Sequence, residues 1–218
     1  MSATGRGKAR AANDYYPTPD WLTRAIIPVI KDRFPQGLVT ILEPACGAGA
    51  IVHELEIAFP TAETVGFDIR QGVDFLTEQP IPRFDLVITN PPYLLAQEFV
   101  DRARPWLRPP SGGCVPLIVM LLRVNFTGSC KRADWLLADM PSFYVLSPRP
   151  SFGTNKDGRP GKDATEYAWV DMAGGCRTHV GTLEVVTGHG KARDPNNSAH
   201  AAAANNGGGT SMRFEDDG

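Results

Sequence analysis

The sequence is short of cysteine, of long apolar runs and of net charge. Its 218 residues hold 4 cysteines (Cys46, Cys114, Cys130 and Cys176), none in a CxxC pair, and 4 scattered histidines. That spacing speaks against a zinc site and against a disulfide framework, and it fits a reduced, cytoplasmic setting. No metal is expected. No run approaches the ~18 apolar residues of a membrane span. The longest strongly apolar stretch, Pro116 to Leu122, is strand-length. Arg6, Lys8 and Arg10 have no apolar core behind them, so a secretory leader is not expected. With Lys plus Arg at 22 and Asp plus Glu at 24, the formal charge is −2, which excludes a wholly basic nucleic-acid coat protein.

What is present is globular: 42% hydrophobic and 21% charged residues. Charge is unevenly spread. Residues 13–100 carry 5 basic and 12 acidic groups, net −7, whereas residues 101–162 carry 10 basic and 4 acidic groups, net +6. A locally basic segment in an acidic protein is either a solvated surface or a face for a polyanion. Residues 1–12 are small, polar and basic, and residues 188–218 are rich in Gly, Ala and Asn. Neither end has the apolar content to order itself. One domain over residues 13–187 is expected, between a disordered basic N-terminus and a disordered tail.

Within it, Thr18-Pro19-Asp20 reads as a helix start, with Thr18 as the cap and Pro19 at the first helical position. Leu22, Ile26, Ile27 and Ile30 repeat at helical spacing, and Pro28 predicts a kink. Strands are predicted at Leu38–Leu42, Glu63–Asp68, Phe84–Thr89, Cys114–Leu122, Phe143–Leu146, Tyr167–Met172 and Leu183–Val186. Helices are predicted at Ile51–Phe59, Leu94–Ala103 and Lys131–Met140. Strands alternating with helices predict an α/β fold: a mostly parallel sheet with an antiparallel edge and helices on both faces. Ligands of such sheets bind at the carboxyl ends of the strands.

Three loops sit there. Glu43-Pro44-Ala45-Cys46-Gly47-Ala48-Gly49 follows the first strand, and its glycines let a ligand approach the backbone. Val52 stands where a three-glycine dinucleotide fingerprint needs its last glycine, which counts against NAD. Asp68 ends the next strand, where a carboxylate can accept from two ribose hydroxyls. Asp74-Phe75 follows, a polar acceptor beside an apolar ring. The third loop is Asn90-Pro91-Pro92-Tyr93, after the apolar strand. Its prolines remove two backbone donors, leaving an edge rich in acceptors. The Asn90 side-chain oxygen and the Pro91 carbonyl can take both hydrogens of one exocyclic NH₂, and Tyr93 offers a flat face to the attached ring.

On these residues the chain resembles the class I S-adenosylmethionine-dependent methyltransferases, and more closely the DNA adenine-N6 methyltransferases common in phages and prophages. The family's cofactor motif matches Glu43 to Gly49, its ribose acid Asp68, its adenine-side pair Asp74 and Phe75, and its catalytic tetrapeptide Asn90 to Tyr93. Its N-terminal Tyr-Pro-Thr-Pro segment, at the methionine end of the cofactor, matches Tyr16 to Pro19. Leu122 to Phe126, Arg149 to Phe152 and Glu166 to Trp169 are similar to the phage-type subgroup. The resemblance spans roughly residues 14–172. It implies a Rossmann-like methyltransferase domain, S-adenosylmethionine as cofactor, double-stranded DNA as partner, and Tyr16, Thr18, Pro19, Glu43, Pro44, Cys46, Gly47, Gly49, Asp68, Asp74, Phe75 and Asn90 around the cofactor.

The family's separate recognition domain has no counterpart here. Recognition is therefore expected from loops within residues 104–165, and a short or degenerate target site with it. Arg123, Lys131 and Arg149 are candidate phosphate contacts. A flipped adenine is expected to stack on Tyr93, with Phe152 on its other face. The same tetrapeptide also serves RNA adenine-N6 and protein glutamine-N5 methyltransferases, because a carboxamide presents the same two hydrogens. A binder that has lost catalysis is a third reading. No Pro-Cys motif is present, which argues against cytosine-C5 chemistry, and Cys46 reads as packing.

Overall fold

The computed structural model describes residues 17–111, 114–129, 132, 133, 136, 140–152, 165–173 and 183–187. The two expected disordered ends, most of the expected helix over residues 131–140, and Tyr16 and Lys131 lie outside these residues.

Seven strands form one sheet in the order β2-β1-β3-β4-β6-β5-β7. They are β1 (Thr40–Glu43), β2 (Glu63–Gly66), β3 (Leu86–Thr89), β4 (Leu117–Arg123), β5 (Ser142–Ser147), β6 (Tyr167–Ala173) and β7 (Leu183–Thr187). The pairs β1–β2, β1–β3, β3–β4 and β5–β7 are parallel. Strand β6 runs antiparallel to both β4 and β5. The sheet is thus mostly parallel with an antiparallel strand toward one side, as the closely spaced late strands predict. The parallel strands β1 to β5 end on one edge of the sheet, and β6 begins there, because Arg123 pairs with Tyr167.

Alternation along the strands splits the core in two. Ile41, Leu86, Ile88, Val119 and Leu121 face helices α1 (Asp20–Arg33) and α2 (Ala50–Ala58) in one cluster. Leu42, Val87, Ile118, Met120 and Leu122 face α3 (Ala96–Ala103) and Trp106 in the other. Helices therefore cover both faces. Leu22, Ile26 and Ile30 bring the apolar stripe of α1 down onto the sheet, and Trp169 of β6 ties the helix there by donating to the Leu22 carbonyl at 2.7 Å.

The helix start differs from expectation. The cap position of α1 is Pro19, with no side-chain cap, and the helix runs on through Pro28. Thr18 stays outside the helix, and its hydroxyl goes instead to Asn90 at 3.1 Å. A second difference follows the tetrapeptide. Tyr93–Leu95 form a 3-10 turn, so the regular helix begins at Ala96 and not at Leu94.

Candidate functional site

The carboxyl ends of β1 to β4 place Glu43, Asp68, Asn90 and Arg123 along one edge of the sheet. The loop after β1 turns tightly there. Gly47 and Gly49 both take positive φ, at 59° and 84°, a region that costs other residues a Cβ clash. Space beside Gly49 is open, since a Cβ built there meets nothing within 4 Å. The loop is pinned to β2: the Cys46 N–H donates to the Phe67 carbonyl at 2.8 Å, and the Phe67 N–H to the Glu43 carbonyl at 2.8 Å. Gly66 is needed for this approach, because a Cβ there would sit 3.0 Å from Cys46 Sγ. Cys46 thus packs against the next strand. Burial, then the charges of Glu43 and Asp68, push its thiol up to about 11, so it is no nucleophile at neutral pH.

Asp68 is buried and faces the loop. Its Oδ2 accepts from the Gly47 N–H at 2.8 Å, and its Oδ1 from the Arg70 N–H at 2.8 Å and Nε at 3.0 Å. Desolvation alone would raise its pKa. The Arg70 and Gly47 hydrogen bonds and the Arg70 charge outweigh that and hold the carboxyl below its ordinary range. An ionised carboxylate with acceptor capacity left beyond three donors stands at the strand end. Beside it Ile69 exposes 66% of its surface, an apolar side chain that pattern reading had no reason to single out.

Glu43 is 1% exposed. Thr89, the last residue of β3, donates its hydroxyl to Glu43 Oε1 at 2.6 Å. Burial pushes the Glu43 pKa up to about 8, against the Thr89 and Ala45 hydrogen bonds, with the Asp68 charge adding to the rise. At neutral pH this carboxyl is mostly protonated, and it links the first loop to the third. Pro44 is buried beside it.

Asp74 accepts from the Leu76 N–H at 3.0 Å and so shapes its own turn. The Phe75 ring is 2% exposed and packs against Phe99 and Trp106 at 5.2 and 5.8 Å. The ring belongs to the core, so the polar atoms of this pair are what the turn offers to a ligand.

Asn90 donates from Nδ2 to Thr18 Oγ1, which leaves Oδ1 as the acceptor on the other side of the amide. Thr18 and Pro19 therefore reach the tetrapeptide itself. Pro91 is buried, and Pro92 and Leu94 are exposed. Beyond them lies an aromatic group. Tyr93 stands 5.8 Å from Tyr167, Phe152 meets Tyr167 edge-on at 5.0 Å, and the Arg123 guanidinium lies over the Tyr93 ring at 4.9 Å. Tyr93, Phe152 and Arg123, singled out separately in sequence, are brought together by Tyr167, which lies in the Glu166 to Trp169 stretch but carried no expected role at the site. Its position depends on the antiparallel register with Arg123, a non-local fact. Arg149 is exposed and pairs with Glu166.

Among the described residues no cluster of His, Cys, Asp and Glu is placed to hold a metal ion, and no helix is long and apolar enough to cross a membrane.

No protein-family model matches the chain, and no curated protein matches it. Solved structures do. A Pyrococcus horikoshii protein described as an RNA methyltransferase superposes with a TM-score of 0.54 at 10% identity, over 77% of this chain and 91% of that one. A modification subunit described for a type I restriction enzyme of Vibrio vulnificus YJ016 superposes with a TM-score of 0.51 at 15% identity, over 81% of this chain and 48% of that one. This chain thus spans about half of the second protein. At such identities the likeness speaks for the fold alone. The chain has the Rossmann-like fold of the class I methyltransferases.

Proposed function

We propose that the protein is an S-adenosylmethionine-dependent DNA adenine-N6 methyltransferase. The observation that carries this reading is the setting of Asn90-Pro91-Pro92-Tyr93. The tetrapeptide ends β3 between the glycine loop and an aromatic, arginine-bearing group, with the Asn90 amide tethered through Nδ2.

The residues present fit the cofactor. The open space beside Gly49 and the ionised Asp68 suit a ribose and its backbone approach, Ile69 offers an apolar surface to an adenine, and Asp74 an acceptor. Tyr16, Thr18, Pro19, Pro44 and Gly47 complete the proposed surround. The cofactor, when bound, supplies an electrophilic methyl group on sulfur.

Adenine N6 is a poor nucleophile because its lone pair is delocalised into the ring. Asn90 Oδ1 and the Pro91 carbonyl accept its two hydrogens and draw the nitrogen toward a tetrahedral geometry. Positive charge would grow on N6 as its bond to the methyl carbon formed and the carbon–sulfur bond broke, its electron pair leaving on the sulfur of the demethylated cofactor, and these fixed acceptors would stabilise that charge. The surplus proton then leaves N6 for solvent. Most of the remaining acceleration is alignment. Thr18 takes part by holding the Asn90 side chain in place.

The base reaches this position by flipping, at a cost of a few kcal/mol. Stacking on Tyr93 offsets that by about 1–3 kcal/mol, with Phe152 proposed on the other side. The half-buried cation–π contact of Arg123 on Tyr93 is worth about 0.5–2 kcal/mol, comparable with the stacked base. The base competes with the guanidinium for that face, and its hydrogen bonds to Asn90 and Pro91 favour it.

The test is incubation with labelled S-adenosylmethionine and three acceptors: unmethylated duplex DNA, RNA and a release factor. Label recovered as N6-methyladenine in DNA supports the reading. Label in RNA or in protein glutamine keeps the mechanism at Asn90 and overturns the substrate. No label with any of them overturns the enzyme reading.

A further inference from the structure

Among the described arginines, Arg123 differs from its fellows. Arg24, Arg33, Arg70, Arg83, Arg108 and Arg149 each meet a carboxylate. Arg102 and Arg132 donate to backbone carbonyls, and Arg104 is not without a partner. Arg123 has neither among the described residues, and its Nε is buried without a hydrogen-bond partner. Its one recorded contact is the Tyr93 ring. A guanidinium carries five donors in a fixed fork suited to a phosphate. Here that fork is half-buried, at the end of β4, beside the tetrapeptide and uncompensated.

We propose that Arg123 is an exchange clamp. In the ligand-free protein it covers the face of Tyr93. When a target base takes that face, the guanidinium passes to a backbone phosphate of the same strand. This rests on the nucleic-acid reading above and deepens it, since it names what the site holds besides the base. The exchange follows from the two partners each side has. The ring trades the cation for a stacked base of comparable strength, and the cation trades a ring for an anion that satisfies its donors. A nucleic acid brings a phosphate beside every base, whereas a protein carboxamide brings an anion only where an acidic side chain happens to flank it. The exposed Arg149 already has Glu166, so it has less to gain from a phosphate.

The experiment measures binding of fluorescent duplex DNA and RNA oligonucleotides by anisotropy across a salt series, for the wild type, Arg123→Ala and Arg123→Lys. One lost phosphate contact lowers the slope of log affinity against log salt by about one, and the affinity at moderate salt by about tenfold. Arg123→Ala is expected to show both, and Arg123→Lys to keep the slope because the charge remains. Thermal midpoints check that each variant is folded. Wild-type binding with an unchanged slope in a folded Arg123→Ala overturns the clamp and leaves the nucleic-acid reading standing. If the wild type binds no oligonucleotide, DNA or RNA, the nucleic-acid reading fails and the clamp with it.

Discussion

The two ends of the parallel strands treat their polar groups in opposite ways. At the amino end of β3, Asp85 is 2% exposed and turned inward. It accepts from the Val39 and Thr40 N–H groups at 2.8 and 2.9 Å and from Arg108. Desolvation would raise its pKa, but Arg108 and the two N–H groups hold it below the ordinary carboxylate range. Nearby, Arg83 grips Glu63. At the carboxyl end, Asn90 has one partner and an acceptor to spare, Arg123 has a ring in place of an anion, and Glu43 is held mostly protonated. Inward-turned groups hold β1, β3 and the Arg108 segment together. Groups with capacity left over are arranged for something that arrives from outside.

The sharpest way to break this contrast is at Asp85. Asp85→Ala leaves Arg108 and two strand N–H groups without their acceptor. It is expected to cost about 3–5 kcal/mol of stability, read by urea unfolding. A loss under 1 kcal/mol would show that the amino end is not the structural end.

Asn90→Ala should do the reverse. Removing a fixed group that stabilises charge in the reaction lowers kcat by about 10²–10³-fold, with the thermal midpoint close to wild type. A variant that unfolds along with its loss of activity would make Asn90 a structural residue like Asp85.

Glu43 tests the contrast through pH. Its folded pKa of about 8 lies above the 4.5 of an ordinary glutamate carboxyl. A raised folded pKa means that its contribution to stability is fully present below the unfolded value and is lost as pH rises through the folded one. Glu43→Gln cannot ionise, so it should gain on the wild type between roughly those two values and hold its lead above them. Each pH unit is worth up to about 1.4 kcal/mol, and relaxation around the buried charge reduces the total to a few kcal/mol. Parallel stability curves from pH 4.5 to 9 would refute the protonated state.

The smallest effect is expected at Thr18. Thr18→Val keeps the shape and removes one hydrogen bond, worth about 1 kcal/mol. A several-fold fall in kcat should follow, with Thr18→Ser restoring most of it. Equal kcat in the Val and Ser variants would dissociate Thr18 from the positioning of Asn90.

The sheet was legible because its signals are local. Strand β3 reads as an apolar run closed by two prolines, and β4 as a long apolar run of strand length; which of its residues face α1 and which face α3 is seen only in the structure. Even the reversed strand β6 is announced by the short spacing of the late strands. The loops' chemistry was legible in residue types, as Asn90, Asp68 and Gly49 stand at strand ends where ligands bind. What escaped was set by contacts distant in sequence. Thr18 reads locally as a helix cap, yet its hydroxyl serves Asn90, 72 residues away. Tyr167 joins the site only through its pairing with Arg123. Phe75 sits beside a polar acceptor in sequence, but its ring points into the core with Phe99 and Trp106.

The most direct measurement is the yield of N6-methyladenine in unmethylated duplex DNA after incubation with S-adenosylmethionine, for the wild type and a folded Asn90→Ala side by side. The predicted result is N6-methyladenine from the wild type and at least a hundredfold less from the variant. Equal yields, or none from a folded wild type, would contradict the assignment of the carboxyl end of β3 as the site of methyl transfer to adenine.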